Sequence, residues 1–339
     1  MSLTSEIAGR RGPVFEFFRR RLPHTQSLAT RINRELRGAG SRAASDPRVI
    51  ALGSADTPCP VPAPNQGTAA LTGTAIGYAL ASHFGAPAGA DVPAELGATW
   101  LDRRLVRARR RLPWFRRLRK FTTAHAIFEE AEARLRAISS DEPGYWRELA
   151  VACAVLGRLE QAFRAGPRVD QYTRDVILLA RGGLDAVAPR LVDATALADL
   201  ARLAELAARD FVGIFERRGL VFAPVFEQSA GLGGADGDFV VERALVEIKC
   251  TAPARVISGR DLHQVAGYVL ADTGDRLGIR EVVLVAPRWR RSVALPVTEL
   301  LKAMAPPAGL SGRPPTLAEW RSDFAASVAA LNRRRCAAA

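Results

Sequence analysis

Apolar positions recur at helical spacing over roughly the first two hundred residues and at strand spacing beyond them. Residues 1–38 read as two helices broken at Pro23. In the second, Leu28, Ile32 and Leu36 recur every four positions, with Arg31, Arg34 and Arg37 between them. Proline-rich connectors at 57–67 (TPCPVPAPNQG) and 85–97 (GAPAGADVPAELG) flank a predicted helix, TAALTGTAIGYALASHFG, which Gly85 ends. From Trp100 onward, Leu101, Leu105, Ala108 and Leu112 form one apolar stripe, and Pro113 restarts the helix. Helical periodicity continues through 122–218, with no repeat at a fixed period.

After Gly219 come short β-rich runs separated by turn residues: VFAPVFE, FVV, ALVEIKC, EVVLVAP and SVALPV. One helical segment, ISGRDLHQVAGYVLAD, interrupts them. The expected fold class is therefore α/β, with a helical, arginine-rich region over 1–192 and an α/β domain over 193–339.

Composition narrows the function classes. The chain has 339 residues, of which 48% are hydrophobic and 24% charged, so it can build a sizeable core and is not globally disordered. No apolar run approaches the roughly 18 residues of a spanning helix. The N-terminal stretch carries no signal-like apolar segment, so a cytoplasmic protein without a membrane partner is expected. Cys59, Cys153, Cys250 and Cys336 are far apart, as are the four histidines, and no zinc or iron–sulfur spacing is visible.

Charge adds a partner. The net charge is +13, and residues 1–120 hold nearly all of it, with 20 basic against 8 acidic residues. A localised basic surplus is the footprint of a polyanion, most commonly nucleic acid. The densest run holds Arg103, Arg104, Arg107, Arg109, Arg110, Arg111, Arg116, Arg117, Arg119 and Lys120, with Trp100, Trp114 and Phe115 as stacking groups. Two readings stand side by side: a phosphate-contacting surface, or a solvated face paired with acidic helices such as the one bearing Glu129, Glu130 and Glu132. Arg288 and Arg290, between two predicted strands, are further candidates for backbone contact.

The chemistry concentrates in GGADGDFVVERALVEIKCT. Alternation along a strand puts Glu247 and Lys249 on one face. A turn at Glu242–Arg243 lets this strand pair with the preceding one, which brings Asp238 beside Glu247. Two converging carboxylates repel each other, and a divalent cation relieves the repulsion; oxygen ligands suit Mg²⁺ or Mn²⁺. Lysine is rare here, Lys120, Lys249 and Lys302 being the only three, so its position two residues after Glu247 carries weight. Asp236 is a second choice for the metal, its place in the Gly-rich loop suiting a turn aspartate better.

Asp238, eight intervening residues and then Glu247-Ile248-Lys249 resemble the PD-(D/E)XK nuclease superfamily. Gln264 and Tyr268, four apart on one helical face, match the QxxxY motif of its RecB and lambda-exonuclease branch. The resemblance covers about residues 195–300. It implies a restriction-endonuclease-like mixed sheet flanked by helices, and a metal-dependent nuclease acting on phosphodiesters, with DNA the expected substrate, in repair or defence against foreign DNA. It further implies Asp238, Glu247 and the Ile248 carbonyl as metal ligands for an activated water, Lys249 as catalytic lysine, and Gln264 and Tyr268 beside the metal site. Glu205 is the candidate for a further acidic ligand, with Glu227 its rival. The GTAIGY helix, within 68–84, resembles an opening helix of such domains and is expected to join the core. No iron–sulfur cluster is expected. His263 is expected at the surface, its direction differing from that of Gln264 by about 100° around the helix. The alternative is a non-catalytic nucleic-acid-binding or scaffold protein that keeps the fold.

Overall fold

The computed structural model describes residues 3–8, 12–36, 50–52, 66–87, 92–111, 123–165, 183–232, 234, 236–250, 256–307 and 313–338. The chain is α/β and mostly helical, and it divides into two compact units. One is Pro62–Val212; the other joins Met1–Val61 to Gly213–Ala339. The division thus differs from a linear split at 192/193, because the N-terminal helices belong with the C-terminal sheet.

In the unit Pro62–Val212, helix α4 (Gln66–His83) packs on α7 (Tyr145–Ala165) and α9 (Ala194–Asp210). Helix α5 (Pro93–Arg111) packs on α7 and α6 (Ala124–Ala137), and α8 (Gly183–Leu191) lies on α6 and α7. The α5–α7 crossing needs Gly97, where a Cβ would fall 2.0 Å from the Leu159 carbonyl oxygen. Buried polar groups are paired: Thr72 donates to Asp199 at 2.8 Å, and Tyr78 donates to Glu160 at 2.8 Å. The GTAIGY helix is therefore part of this helical unit, and Glu205 stands exposed on α9 of the same unit. Neither belongs to the compact unit that holds the sheet, contrary to the sequence expectation.

The other unit is built on a six-stranded mixed sheet: β1 (Ile50–Leu52), β2 (Val221–Phe222), β3 (Phe239–Val241), β4 (Ala244–Ile248), β5 (Glu281–Ala286) and β6 (Arg291–Pro296). Their spatial order is β1-β6-β5-β4-β3-β2. Strands β2, β3 and β4 form an antiparallel meander, and Glu242, with φ 52°, turns β3 into β4. Helix α11 (Gly259–Ala271) then carries the chain over so that β5 pairs parallel to β4. A short 3₁₀ turn, Pro287–Trp289, returns β6 antiparallel to β5. Of the run VFAPVFE only Val221 and Phe222 form strand, since Pro224 cannot donate to a ladder.

Alternation explains the two faces. Val240, Leu245, Val282, Leu284, Val293 and Leu295 join one buried cluster with Leu262, Val265 and Val269 of α11. The cluster includes Phe17 and Phe18 of α2 (Pro13–Arg21), Leu28 and Ile32 of α3 (Thr25–Leu36), Leu300 of α12 (Val297–Met304) and Phe324 of α13 (Leu317–Ala338). Phe239 points the other way and packs edge-on to Phe215 of α10 (Val212–Phe215), with ring centroids 5.3 Å apart. Helix α1 (Leu3–Ala8) reaches α11 at Gly267, where a Cβ would meet Leu3 Cδ2 at 2.6 Å. The N-terminal helices are thus integral to the layer that covers and fixes α11.

Candidate active site

The site forms where β4 ends beneath α11. Phe239 pairs with Val246, so one further step of the register sets Asp238 opposite Glu247 on the α11 face. Asp238 Oδ2 accepts a 2.6 Å hydrogen bond from the Ile248 amide, which fixes the carboxylate against the end of β4.

Glu247 is 4% exposed, and one of its oxygens, Oε1, accepts from Lys249 Nζ at 2.8 Å. Its Oε2 is buried with no hydrogen-bond partner. A buried carboxylate oxygen left unmatched is costly, and such an orphan is a place where a ligand atom fits.

Lys249 Nζ also donates to Gln264 Oε1 at 3.0 Å and lies 3.4 Å from Asp261 Oδ1. Burial works against its charged form, but the carboxylates of Glu247, Asp261 and Asp238 outweigh burial and raise its pKa above the usual lysine value. The ammonium is held charged.

Gln264 is oriented from its other end, where Nε2 donates to the Tyr268 hydroxyl at 2.6 Å. Tyr268 is itself buried and stacked on Phe226, at 5.2 Å between centroids and 12° between planes. The i, i+4 relation on α11 thus appears as a relay from a fixed tyrosine through the amide to the lysine.

Sequence reasoning missed Asp261. It completes a capping box at the start of α11: Ser258 Oγ accepts from the Asp261 amide at 3.2 Å, while Asp261 Oδ2 accepts from the Ser258 amide at 2.7 Å. The signal was available, because Ser258-Gly-Arg-Asp261 is a capping pattern and Asp261 stands three residues before Gln264. Burial raises the Asp261 pKa, but Lys249 and the Ser258 hydrogen bonds more than offset this, leaving it below the usual carboxylate value.

Other predicted residues fall elsewhere. Asp236 forms an isolated bridge with Val225 and is half-buried. Glu227 is exposed and ties down the turn after α11, accepting from Thr273 and, at 2.6 Å, from the Gly274 amide. Arg288 is 1% exposed, and its Nε donates to the Cys250 carbonyl at 2.9 Å. It is an internal strut, which corrects its assignment to a nucleic-acid surface. Arg290, half-buried at φ 51°, sits in the tight turn after it. His263 is half-buried rather than at the surface, its Nε2 2.8 Å from Thr25 Oγ1.

In the basic run, Arg103 is exposed and the Arg104 guanidinium carbon lies 4.4 Å from the Trp100 ring centre. The side chains of Arg107, Arg109, Arg110 and Arg111, and the whole of Arg116, Arg117, Arg119, Lys120, Trp114 and Phe115, lie outside the described residues.

Among the described residues there is no group of three or more His, Cys, Asp or Glu side chains set to hold a metal ion. The carboxylates of Asp238 and of Glu247, with its unmatched Oε2, are hard oxygen donors whose chemistry fits Mg²⁺ or Mn²⁺. No helix of the described residues is long and apolar enough to cross a membrane. No family model, curated protein or solved structure matches the chain.

Proposed function

We propose that this chain is a metal-dependent nuclease that hydrolyses phosphodiester bonds, in DNA by preference, on a restriction-endonuclease-like α/β unit. The observation that carries the reading is the meeting of Lys249 with Glu247 and Gln264 within 3.0 Å, at a strand end where Asp238 also stands and a buried Glu247 oxygen is unmatched. The hairpin β3–β4 followed by α11 agrees with the order Asp, ExK, QxxxY that the sequence resemblance rests on.

In this reading Asp238, Glu247 and the Ile248 carbonyl would hold a divalent cation, which would neutralise the scissile phosphate and acidify a water. The chain's own residues do the rest. Lys249 presents an ammonium that orients the attacking water and offsets negative charge building on the phosphoryl oxygens. Gln264, locked by Tyr268, keeps that ammonium aimed. The basic run of α5 supplies sequence-independent attraction to the phosphate backbone.

The test is cleavage of end-labelled linear and closed-circular DNA with Mn²⁺, beside Lys249→Ala and an EDTA control. Metal-dependent cleavage lost in the variant is the expected result, and the two DNA forms separate endo- from exonucleolytic attack. Wild type and variant both inert while binding DNA equally would overturn catalysis in favour of a binding role.

A further inference from the structure

We infer that Asp261 is the positioning residue that keeps Lys249 in place once Glu247 shares its charge with a divalent cation; this deepens the nuclease reading and rests on it. An ammonium has three donors: Lys249 Nζ donates to Glu247 Oε1 at 2.8 Å and to Gln264 Oε1 at 3.0 Å, and it is ion-paired with Asp261 Oδ1 at 3.4 Å. Glu247 serves two masters in this arrangement. A cation bound through the unmatched Oε2 withdraws negative charge from Oε1 and weakens its hold on the lysine, which leaves Gln264, neutral, and Asp261, charged, as the remaining partners.

Asp261 is built for that task. Its Oδ2 is held by the Ser258 amide at 2.7 Å and the Ser258 hydroxyl at 2.6 Å, so the carboxylate cannot rotate away. Its Oδ1 is left for Lys249. A carboxylate in the first turn of a helix is also favoured by the helix dipole, which helps it stay charged there. The cap and the hold on the lysine thus use opposite oxygens of one group.

Three lysines in the chain make the test direct. Lysine labelled with ¹³C at Cε gives three resonances, and Lys249→Met assigns the one in question. Asp261→Glu and Asp261→Gln both keep a residue favoured at this capping-box position, and they differ by one charge and by an amide NH₂ in place of a carboxylate oxygen. Asp261→Asn serves as the isosteric neutral variant.

In wild type and Asp261→Glu the Lys249 resonance is expected to stay displaced from the free-lysine position with and without saturating Mg²⁺. In Asp261→Gln and Asp261→Asn it is expected to be displaced without Mg²⁺ and to collapse toward the free-lysine position when Mg²⁺ is added. Cleavage rates should follow, falling at least ten-fold in the two neutral variants with KM for DNA within two-fold, and recovering in Asp261→Glu. Equal behaviour of Asp261→Glu and Asp261→Gln, or a Lys249 resonance that Mg²⁺ leaves in place in the neutral variants, would overturn the inference. A wild type that does not cleave DNA would sink the nuclease reading, while the resonance still decides whether Asp261 holds the lysine.

Discussion

The side chain of Asn33, on α3, closes both ends of the Ile257 backbone unit: Nδ2 donates to its carbonyl at 2.6 Å, and Oδ1 accepts from its amide at 2.9 Å. The same Oδ1 accepts from the Val256 amide at 3.1 Å. Val256 and Ile257 are buried and lead directly into the cap of α11, so an N-terminal residue sets where the helix of Gln264 and Asp261 begins.

Asn33→Ala would strand two buried amides and a carbonyl, and the expected loss is about 3 kcal/mol of unfolding free energy by urea titration. Asn33→Asp keeps the acceptor and loses the donor, so it should fall between wild type and Asn33→Ala. Cleavage, measured where both variants remain folded, should decline in the same order because Gln264 and Asp261 shift with the helix start. An Asn33→Ala protein as stable as wild type would separate the N-terminal helices from any role in building the site.

Asp238, Glu247, Lys249, Gln264 and Tyr268 were legible in the sequence because their relations are local: strand alternation, a tight hairpin, and a four-residue helical step. So were β3, β4, α11, β5 and β6. What was not legible depends on long-range packing. No periodicity in residues 1–38 says that Phe17, Phe18 and Asn33 will seat on α11 rather than join the helices that follow. Arginine type says surface, yet Arg288 is buried because a carbonyl at Cys250 needs a donor where the sheet ends. A helix glutamate such as Glu205 satisfies a spacing as well in one unit as in the other.

The Lys249–Glu247 pair should be energetically coupled. The side chains are 11% and 5% exposed, so removing the ammonium leaves the Glu247 carboxylate buried and uncompensated. Lys249→Met is expected to destabilise by about 3 kcal/mol, and adding Glu247→Gln to recover a large part of that loss. Mg²⁺ should raise the melting temperature of Lys249→Met more than that of wild type, because a cation then stands in for the missing ammonium. Strict additivity in the double-mutant cycle would show that the two charges do not stabilise each other.

Tyr268→Phe isolates the relay. The substitution keeps the ring stacked on Phe226 and removes only the oxygen that accepts from Gln264 Nε2. The cost in stability should be about 1 kcal/mol. The amide loses the partner that tells its two ends apart, so its carbonyl no longer reliably faces Lys249. Cleavage is expected to fall about ten-fold, close to 1.4 kcal/mol of barrier, with KM little changed. Wild-type turnover in Tyr268→Phe would leave the tyrosine a packing residue only.

His263 sets a pH dependence of stability. Thr25 Oγ1 gives its proton to the Leu22 carbonyl at 2.6 Å, so it can only accept from His263, which places the imidazole proton on Nε2. The ring lies 4.7 Å from that of Phe18, and burial lowers the histidine's pKa below 6.5, a hydrogen bond to the Leu22 carbonyl opposing this only in part. The unfolded chain therefore binds a proton that the folded chain refuses as the pH falls below 6.5, and stability declines from there until the folded pKa is passed. Burial also lowers the pKa of His83, so both histidines contribute to the slope in this window. The melting temperature should fall between pH 7 and pH 5, and His263→Gln, which retains a donor for Thr25, should show a shallower fall. A His263→Gln protein with the same slope as wild type would assign the whole effect to other groups and leave this histidine without a role in acid sensitivity.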